Sequence, residues 1–328
     1  MKSILTQLIN QQPLSRTEAK ELMHNIAEEN YSDVEIGAFL TTYLMRTITV
    51  DELAGYRDAL IELAVKINLE VDNAIDIVGT GGDGKNTFNI STLSTFVVAG
   101  AGYKVIKHGN YGASSVSGSS NVLEYLGYQF TNNNDALQEQ LDKNNICFLH
   151  APLFHPAMKA VGPARKSLKM KTIFNLLGPL VNPASPSHQL VGVYDLHIAR
   201  LYQFFLQKMD RSYLIAHALD GYDEISLTSP AKVIGNGLDT IFKSDDFGLD
   251  SYSQEELHGG DSIKDAAKIF INVLNQEGTN AQEDVILANA GLAIQCMEPD
   301  KPLPECVEIA RESLQSGKAL DVLKQAVE

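Results

Sequence analysis

The sequence predicts an α/β protein: a small all-helical domain followed by a large α/β domain with a mostly parallel central sheet. Three observations predict it. Helix-start signals and helical apolar spacing fill the first stretch, with no glycine-rich loop. From residue 74, short β-branched runs alternate with helical stretches, and such alternation builds βαβ units with parallel strands. At 328 residues the chain also exceeds the usual size of a single core. The expected domains are 1–70, helical, and 71–328, α/β.

In the helical part, Ser15-Arg16-Thr17-Glu18, Ser32-Asp33-Val34-Glu35 and Thr49-Val50-Asp51-Glu52 each fit the capping box. There a hydroxyl and a carboxylate reciprocally satisfy N–H groups left free at a helix start. Ile36, Phe39, Leu40 and Tyr43 follow at helical spacing.

The α/β part opens with a strand at Ala74 to Val78, then a glycine loop and a helix over Ser91 to Gly102. Tyr103 to Lys107 is a second strand and Ser117 to Gly127 a second helix. Further strands are expected at Ile146 to Leu149, Gln189 to Tyr194 and Tyr213 to Ala216, with helices packing on the sheet from Ala281. The stretch 154–183, broken by Pro156, Pro163, Pro179 and Pro183, reads as short helices and turns that return to the helical domain. Ligands of such sheets bind beyond the carboxyl ends of the strands, so the loops after Val78, Lys107 and His217 are the places to look.

A formal net charge of −15 argues against nucleic acid and anionic membranes as partners. Cys147, Cys296 and Cys306 have no metal-ligand spacing and read as buried thiols of a reduced compartment. Neither a signal-peptide core nor an apolar run of transmembrane length occurs, so a cytoplasmic protein is expected.

Four segments carry possible chemistry. Gly79-Thr80-Gly81-Gly82-Asp83-Gly84 follows a strand and can turn its N–H groups toward an anion; it fits neither a Walker A loop nor a dinucleotide fingerprint. Asn89-Ile90-Ser91-Thr92 supplies N-cap residue types at a helix start, where a phosphate can also dock. Lys107-His108-Gly109-Asn110 ends the second strand, and Ser114, Ser115, Ser117, Ser119 and Ser120 add hydroxyls. From Gly79 to Ser120 there are three lysines against one acid, a local excess of positive charge in an acidic chain. Finally, Asp220-Gly221-Tyr222-Asp223-Glu224 brings adjacent carboxylates that gain little unless a cation neutralises them, and Mg²⁺ suits such ligands. Each segment has a bland alternative: a tight turn, a cap, a solvated polar loop, a surface acid pair. Together, and without a nucleophile–base triad, they suit a diphosphate leaving group held by main-chain amides, Lys107 and Mg²⁺.

In this order along the chain, Gly79 to Asp83, Asn89 to Thr92, Lys107 to Asn110, Thr172-Ile173-Phe174-Asn175-Leu176-Leu177-Gly178-Pro179-Leu180 and Asp223-Glu224 resemble the motifs of the anthranilate phosphoribosyltransferase family. The similarity runs through nearly the whole chain. The resemblance implies a nucleoside phosphorylase/phosphoribosyltransferase-like fold and a homodimer formed through the helical parts. It implies transfer of the 5-phosphoribosyl group of phosphoribosyl pyrophosphate to the amine of anthranilate, in tryptophan biosynthesis, with Mg²⁺ as cofactor. By the same resemblance Gly79, Gly81, Gly82, Asp83, Thr87, Asn89, Ser91, Thr92, Lys107 and Ser119 hold the phosphorylated sugar. Ser91, Asp223 and Glu224 hold Mg²⁺. Asn110, Arg165 and Gly178 contact anthranilate, His108 and His155 line its entry, and Gly109 belongs to the substrate-binding stretch. Lys107, Asp83 and Arg165 are the expected catalytic residues. From residue type alone, Arg165 reads as a surface arginine on a basic helix with Lys166, Lys169 and Lys171, and His155 as a cap or core histidine.

The chain departs from the family pattern at Tyr111 and Val116, where a basic residue is frequent, and at Asn121, where an aspartate is. Two rivals share the scaffold. A pyrimidine nucleoside phosphorylase has no need of an acid pair such as Asp223-Glu224, and a nucleic-acid-binding relative needs basic grooves that a charge of −15 disfavours.

Overall fold

All three boxes start helices. In the computed structural model, which describes residues 1–112 and 116–328, Ser15, Ser32 and Thr49 each accept from the backbone N–H three residues on, and Glu18, Glu35 and Glu52 reach back. They open α2 (Arg16–Ala27), α3 (Asp33–Met45) and α4 (Val50–Glu62), behind α1 (Lys2–Ile9). The chain divides into two compact units, one of Met1–Ile67 with Ala151–Ser185 and one of Asn68–His150 with Pro186–Glu328.

In the helical unit, Glu52 does more than cap. Its carboxylate is fully buried and accepts from Leu14 N, Tyr43 Oη and Thr49 N, at 3.0, 2.9 and 2.8 Å. Arg46 adds a two-pronged contact at 2.7 and 3.2 Å. The arginine fork and these donors hold the acid ionised against its burial, and its pKa lies below the usual value. The Pro-rich stretch joins this unit as short turns: Val65 N donates to Phe154 O at 2.8 Å and Arg57 Nε to Leu180 O at 3.3 Å.

The other unit is built on a seven-stranded sheet in the order β3-β2-β1-β4-β5-β6-β7. The strands are β1 (Ala74–Gly79), β2 (Lys104–Gly109), β3 (Ile146–His150), β4 (His188–Gly192), β5 (Ser212–Ala218), β6 (Ala231–Gly235) and β7 (Leu238–Phe242). The first five pair in parallel; β6 and β7 extend the edge as an antiparallel hairpin that the apolar pattern does not reveal. The helix Asn280–Met297 is buried on nearly every face, and Phe96, Phe148 and Phe270 pack ring against ring. Two further helices follow α4 in chain order, α5 (Ile90–Gly100) and α6 (Ser119–Tyr125).

Successive strands leave β1 toward β2 and β3 on one side, and β4 toward β5 on the other. The order therefore reverses between β1 and β4, whose carboxyl ends Gly79 and Gly192 are paired residues. A reversal of this kind opens a crevice for ligands.

Candidate active site

The glycine loop leaves β1 at this reversal. Gly81 and Gly82 take φ of 63° and 74°, a left-handed conformation that side chains resist. The turn aims Gly81 N at the acid loop, and it donates to Asp223 Oδ2 at 2.6 Å. A second main-chain donor does the same: Ser91 N, in the first turn of α5, donates to Glu224 Oε1 at 2.9 Å. The glycine loop, the start of α5 and the acid pair thus meet at one sheet edge.

Two glycines make the approach possible. A Cβ on Gly79 would overlap the Asp223 carboxylate, and one on Gly192 would overlap its backbone. Gly192 carries no chemistry, yet it seats the acid loop. It lies outside the expected site, although a glycine inside a strand is a signal of close backbone approach. Behind the pair, Asn289 pins Ile225 by accepting from its N–H at 3.0 Å and donating to its carbonyl at 2.8 Å.

Lys107, on β2, is 2% exposed, and its Nζ donates to Ile77 O and, at 3.4 Å, to Ser91 Oγ. Burial pulls its pKa down to about 8, against the opposing pull of Asp76, Glu224 and Asp223. Both acids of the pair are held above the usual carboxylate range. Burial is the main cause for each, followed by Asp83 for Asp223 and by Asp223 for Glu224. Asp83 in turn caps its own loop, accepting from Lys85 N at 3.0 Å.

Other expected residues sit as follows. The cap of α5 is Asn89, so Ser91 and Thr92 lie inside the helix and are not its caps. Asn89 Nδ2 donates to Ser117 O at 3.0 Å. Asn89 Oδ1, Ser117 Oγ and Thr80 Oγ1 are buried and have no hydrogen-bond partner among the described residues. Buried oxygens seldom stay unpaired, and three at one sheet edge mark where polar ligand atoms belong; Thr80 lies in the glycine loop and Ser117 among the hydroxyls that the sequence singles out. Thr92 is buried, and Thr87 bridges His258 in an antiparallel pair. His108 is buried, with its N–H on Asp76 Oδ1 at 3.2 Å. Ser119 Oγ donates to Asn110 O at 3.2 Å and lies where a Cβ on Gly109 would fall. Ser114 and Ser115 lie outside the described residues.

In the departures from the family pattern, Asn121 Oδ1 accepts from Gly112 N and Gly118 N at 2.9 and 3.0 Å. The Tyr111 ring meets that of His150 edge-on at 4.8 Å. Val116 is exposed.

His155, Arg165 and Gly178 belong to the helical unit. His155 caps a 3₁₀ turn, is buried, and bonds Val181 O through Nε2 at 2.9 Å; burial lowers its pKa. Arg165 stands on the short helix Gly162–Leu168, with its guanidinium 5.5 Å from the Phe174 ring centre. The basic helix expected here ends at Leu168, because Lys169 turns left-handed (φ 50°), so Lys169 and Lys171 fall outside it. Gly178 opens a 3₁₀ turn.

Among the described residues no group of three or more His, Cys, Asp or Glu could hold a metal ion by itself. The acid pair nevertheless fits a hard divalent cation that completes its shell with substrate oxygens and water. Asp76, Glu224 and Asp223 share one buried lysine, and Asp83 adds a further negative charge beside the pair, so negative charge is under-compensated there.

Comparison with known proteins identifies the domains and the family. Residues 71–320 match the model of the glycosyl transferase family a/b domain, and residues 2–64 that of the same family's helical bundle domain. The chain thus has both domains of the glycosyl transferase family. The anthranilate phosphoribosyltransferase of Christiangramia forsetii is 54% identical over 325 residues, 99% of this chain and 98% of that protein. The Thermus thermophilus anthranilate phosphoribosyltransferase structure is 32% identical, with a TM-score of 0.91 over 98% of each chain. The Saccharomyces cerevisiae enzyme, solved in complex with PRPP and Mg, is 27% identical with a TM-score of 0.92, covering 99% of this chain and 96% of that one. The chain belongs to the anthranilate phosphoribosyltransferase family.

Proposed function

We propose that the sheet edge at Gly79, Ser91, Lys107 and Asp223-Glu224 is where this chain carries out its family's reaction. It transfers the 5-phosphoribosyl group of phosphoribosyl pyrophosphate (PRPP) to the amine of anthranilate, releasing pyrophosphate, in tryptophan biosynthesis. The C1–oxygen bond to pyrophosphate breaks, the C1–nitrogen bond forms, and the nitrogen gives up a proton to solvent. An aromatic amine is unprotonated at neutral pH, so the site needs no strong base.

The observation that carries the reading is the convergence of Gly81 N on Asp223 and Ser91 N on Glu224. In this reading the Gly79 to Asp83 loop, Thr87, Asn89, Ser91, Thr92, Lys107 and Ser119 hold PRPP, with the unpaired oxygens of Thr80, Asn89 and Ser117 available to it. Ser91, Asp223 and Glu224 would hold Mg²⁺, which when bound offsets charge on the diphosphate and the acids. Lys107 places a buried positive charge beside Ser91, where it stabilises charge that develops as the diphosphate departs. Arg165 offers a planar fork to the anthranilate carboxylate, with Asn110 and Gly178 as further contacts and His108 and His155 at the entry.

The same reading includes a homodimer through the helical units, supported by the exposed apolar residues Ile9, Val34 and Met45 on that unit. A cytoplasmic location is supported by three buried free thiols, Cys147, Cys296 and Cys306. Incubation with anthranilate, PRPP and Mg²⁺ tests the activity: anthranilate fluorescence is expected to fall, and a constant signal over hours would defeat the assignment.

A further inference from the structure

The segment Ser253 to Gly260 lies outside the residues assigned to the reaction, yet it holds the 85–89 stretch at two places. At the first, the backbones interlock. Gly259 N donates to Asn86 O at 2.7 Å and Phe88 N to Leu257 O at 3.3 Å, around the Thr87–His258 bridge. Asn86 Nδ2 adds a bond to Gly260 O at 2.9 Å and meets His258 Nε2 at 3.1 Å. The contact is so close that a Cβ on Gly259 would overlap the Thr87 carbonyl and come within 2.7 Å of Phe88 N. These are backbone atoms, so they could give way only by moving the loop.

At the second place a side chain spans two loops. Gln254 Oε1 accepts from Lys85 Nζ at 3.1 Å, and Gln254 Nε2 donates to Asp220 Oδ2 at 3.0 Å. Asp220 is itself anchored by Thr228 Oγ1 at 2.6 Å and Ser229 Oγ at 2.8 Å. Lys85 also lies over the Tyr222 ring, 4.6 Å from its centre. Gln254 thereby links the glycine loop, two residues past Asp83, to the acid loop, three residues before Asp223.

We propose that Gly259 and Gln254 are positioning residues for PRPP binding, fixing the 85–89 stretch against the acid loop; this rests on the reading that the loop receives PRPP. Neither residue is among those assigned to PRPP. Their effect is on how well the loop's N–H groups and Thr87 are aimed before PRPP arrives, so it falls on KM for PRPP.

The test is steady-state kinetics of the full-length protein with Gly259→Ala, Gln254→Leu and, as a control on the loop itself, Thr87→Ala. Because small displacements of binding groups carry large kinetic penalties, Gly259→Ala is expected to raise KM for PRPP by about tenfold and Gln254→Leu by about threefold. KM for anthranilate and, for the exposed Gln254, the melting temperature should stay at the wild-type values. A loss of stability alone would not split the two KM values in this way. If Thr87→Ala raises KM for PRPP while Gln254→Leu leaves it unchanged, the positioning role is overturned and the site reading stands. If Thr87→Ala also leaves it unchanged, the site reading fails and takes this proposal with it. Should Gly259→Ala not fold, Gln254→Leu decides alone.

Discussion

Glu52 in the helical unit and Glu224 in the α/β unit are both glutamates removed from water, and their surroundings treat them in opposite ways. Around Glu52 the fold supplies an arginine fork, a tyrosine hydroxyl, a threonine hydroxyl and two backbone N–H groups, and the acid stays ionised with a lowered pKa. Around Glu224 it supplies Ser91 N and the charge of Lys107, and burial, with Asp223 set beside the acid, raises the pKa. A satisfied buried acid is part of the scaffold. One left short of positive charge is a place where the fold sets stability aside for a ligand.

The largest effect should come from removing the under-compensated pair. Asp223→Asn with Glu224→Gln is expected to lower turnover by at least about 10³-fold, while leaving the melting temperature unchanged or higher, since two crowded buried charges are gone. Near-normal rates at low Mg²⁺ would refute a metal role. Glu52→Gln should do the reverse: turnover per folded molecule is kept, and stability falls by about 3–5 kcal/mol because Arg46 loses its partner, as read by urea unfolding. Gly192→Ala probes how the acid pair is seated; its Cβ would overlap the Asp223 backbone, and a drop in turnover of about 10²-fold with a raised Mg²⁺ requirement is expected. Arg165→Ala should raise KM for anthranilate by about tenfold and KM for PRPP far less; the opposite pattern would reassign the residue.

The smallest effect is on the pH dependence of stability. Glu52 has a folded-state pKa below its unfolded value, so its contribution is present above the unfolded carboxylate range and is lost as pH falls through the folded value. Glu52→Gln should therefore flatten the acid side of the stability curve. No change in that limb would mean that the acid is not held as described.

The helical unit was the more legible of the two, because its signals are local. Each capping box lies within four residues, and the chain places each at a helix start. Strand existence was legible for the same reason, but β1 and β2 run on to Gly79 and Gly109, beyond the apolar residues that mark them, since pairing with β4 and β3 extends them. The β6–β7 hairpin is marked less by Ala231-Lys232-Val233-Ile234-Gly235, which alternates weakly, than by Asn236-Gly237, the two-residue turn that joins its strands. At the site, residue types pointed to the glycine loop and the acid pair. What they do to each other was not legible: Gly79 is small because Asp223 lies against it, and Gly192 because the acid loop crosses it. Such contacts join residues more than a hundred positions apart in the first case and thirty in the second, and only the sheet order brings them together. Asn89 is the N-cap residue of α5, so Ser91 lies in the first turn, where N–H groups have no helical partner, and its N–H meets Glu224.

The convergence of main-chain amides, lysine and acid pair on one diphosphate is tested most directly by calorimetric titration of PRPP into the protein with and without Mg²⁺. Binding should be tight with Mg²⁺, weak without it, and equally weak under both conditions once Asp223→Asn and Glu224→Gln are in place. Mg²⁺-dependent binding that persists undiminished in that double variant would contradict the account.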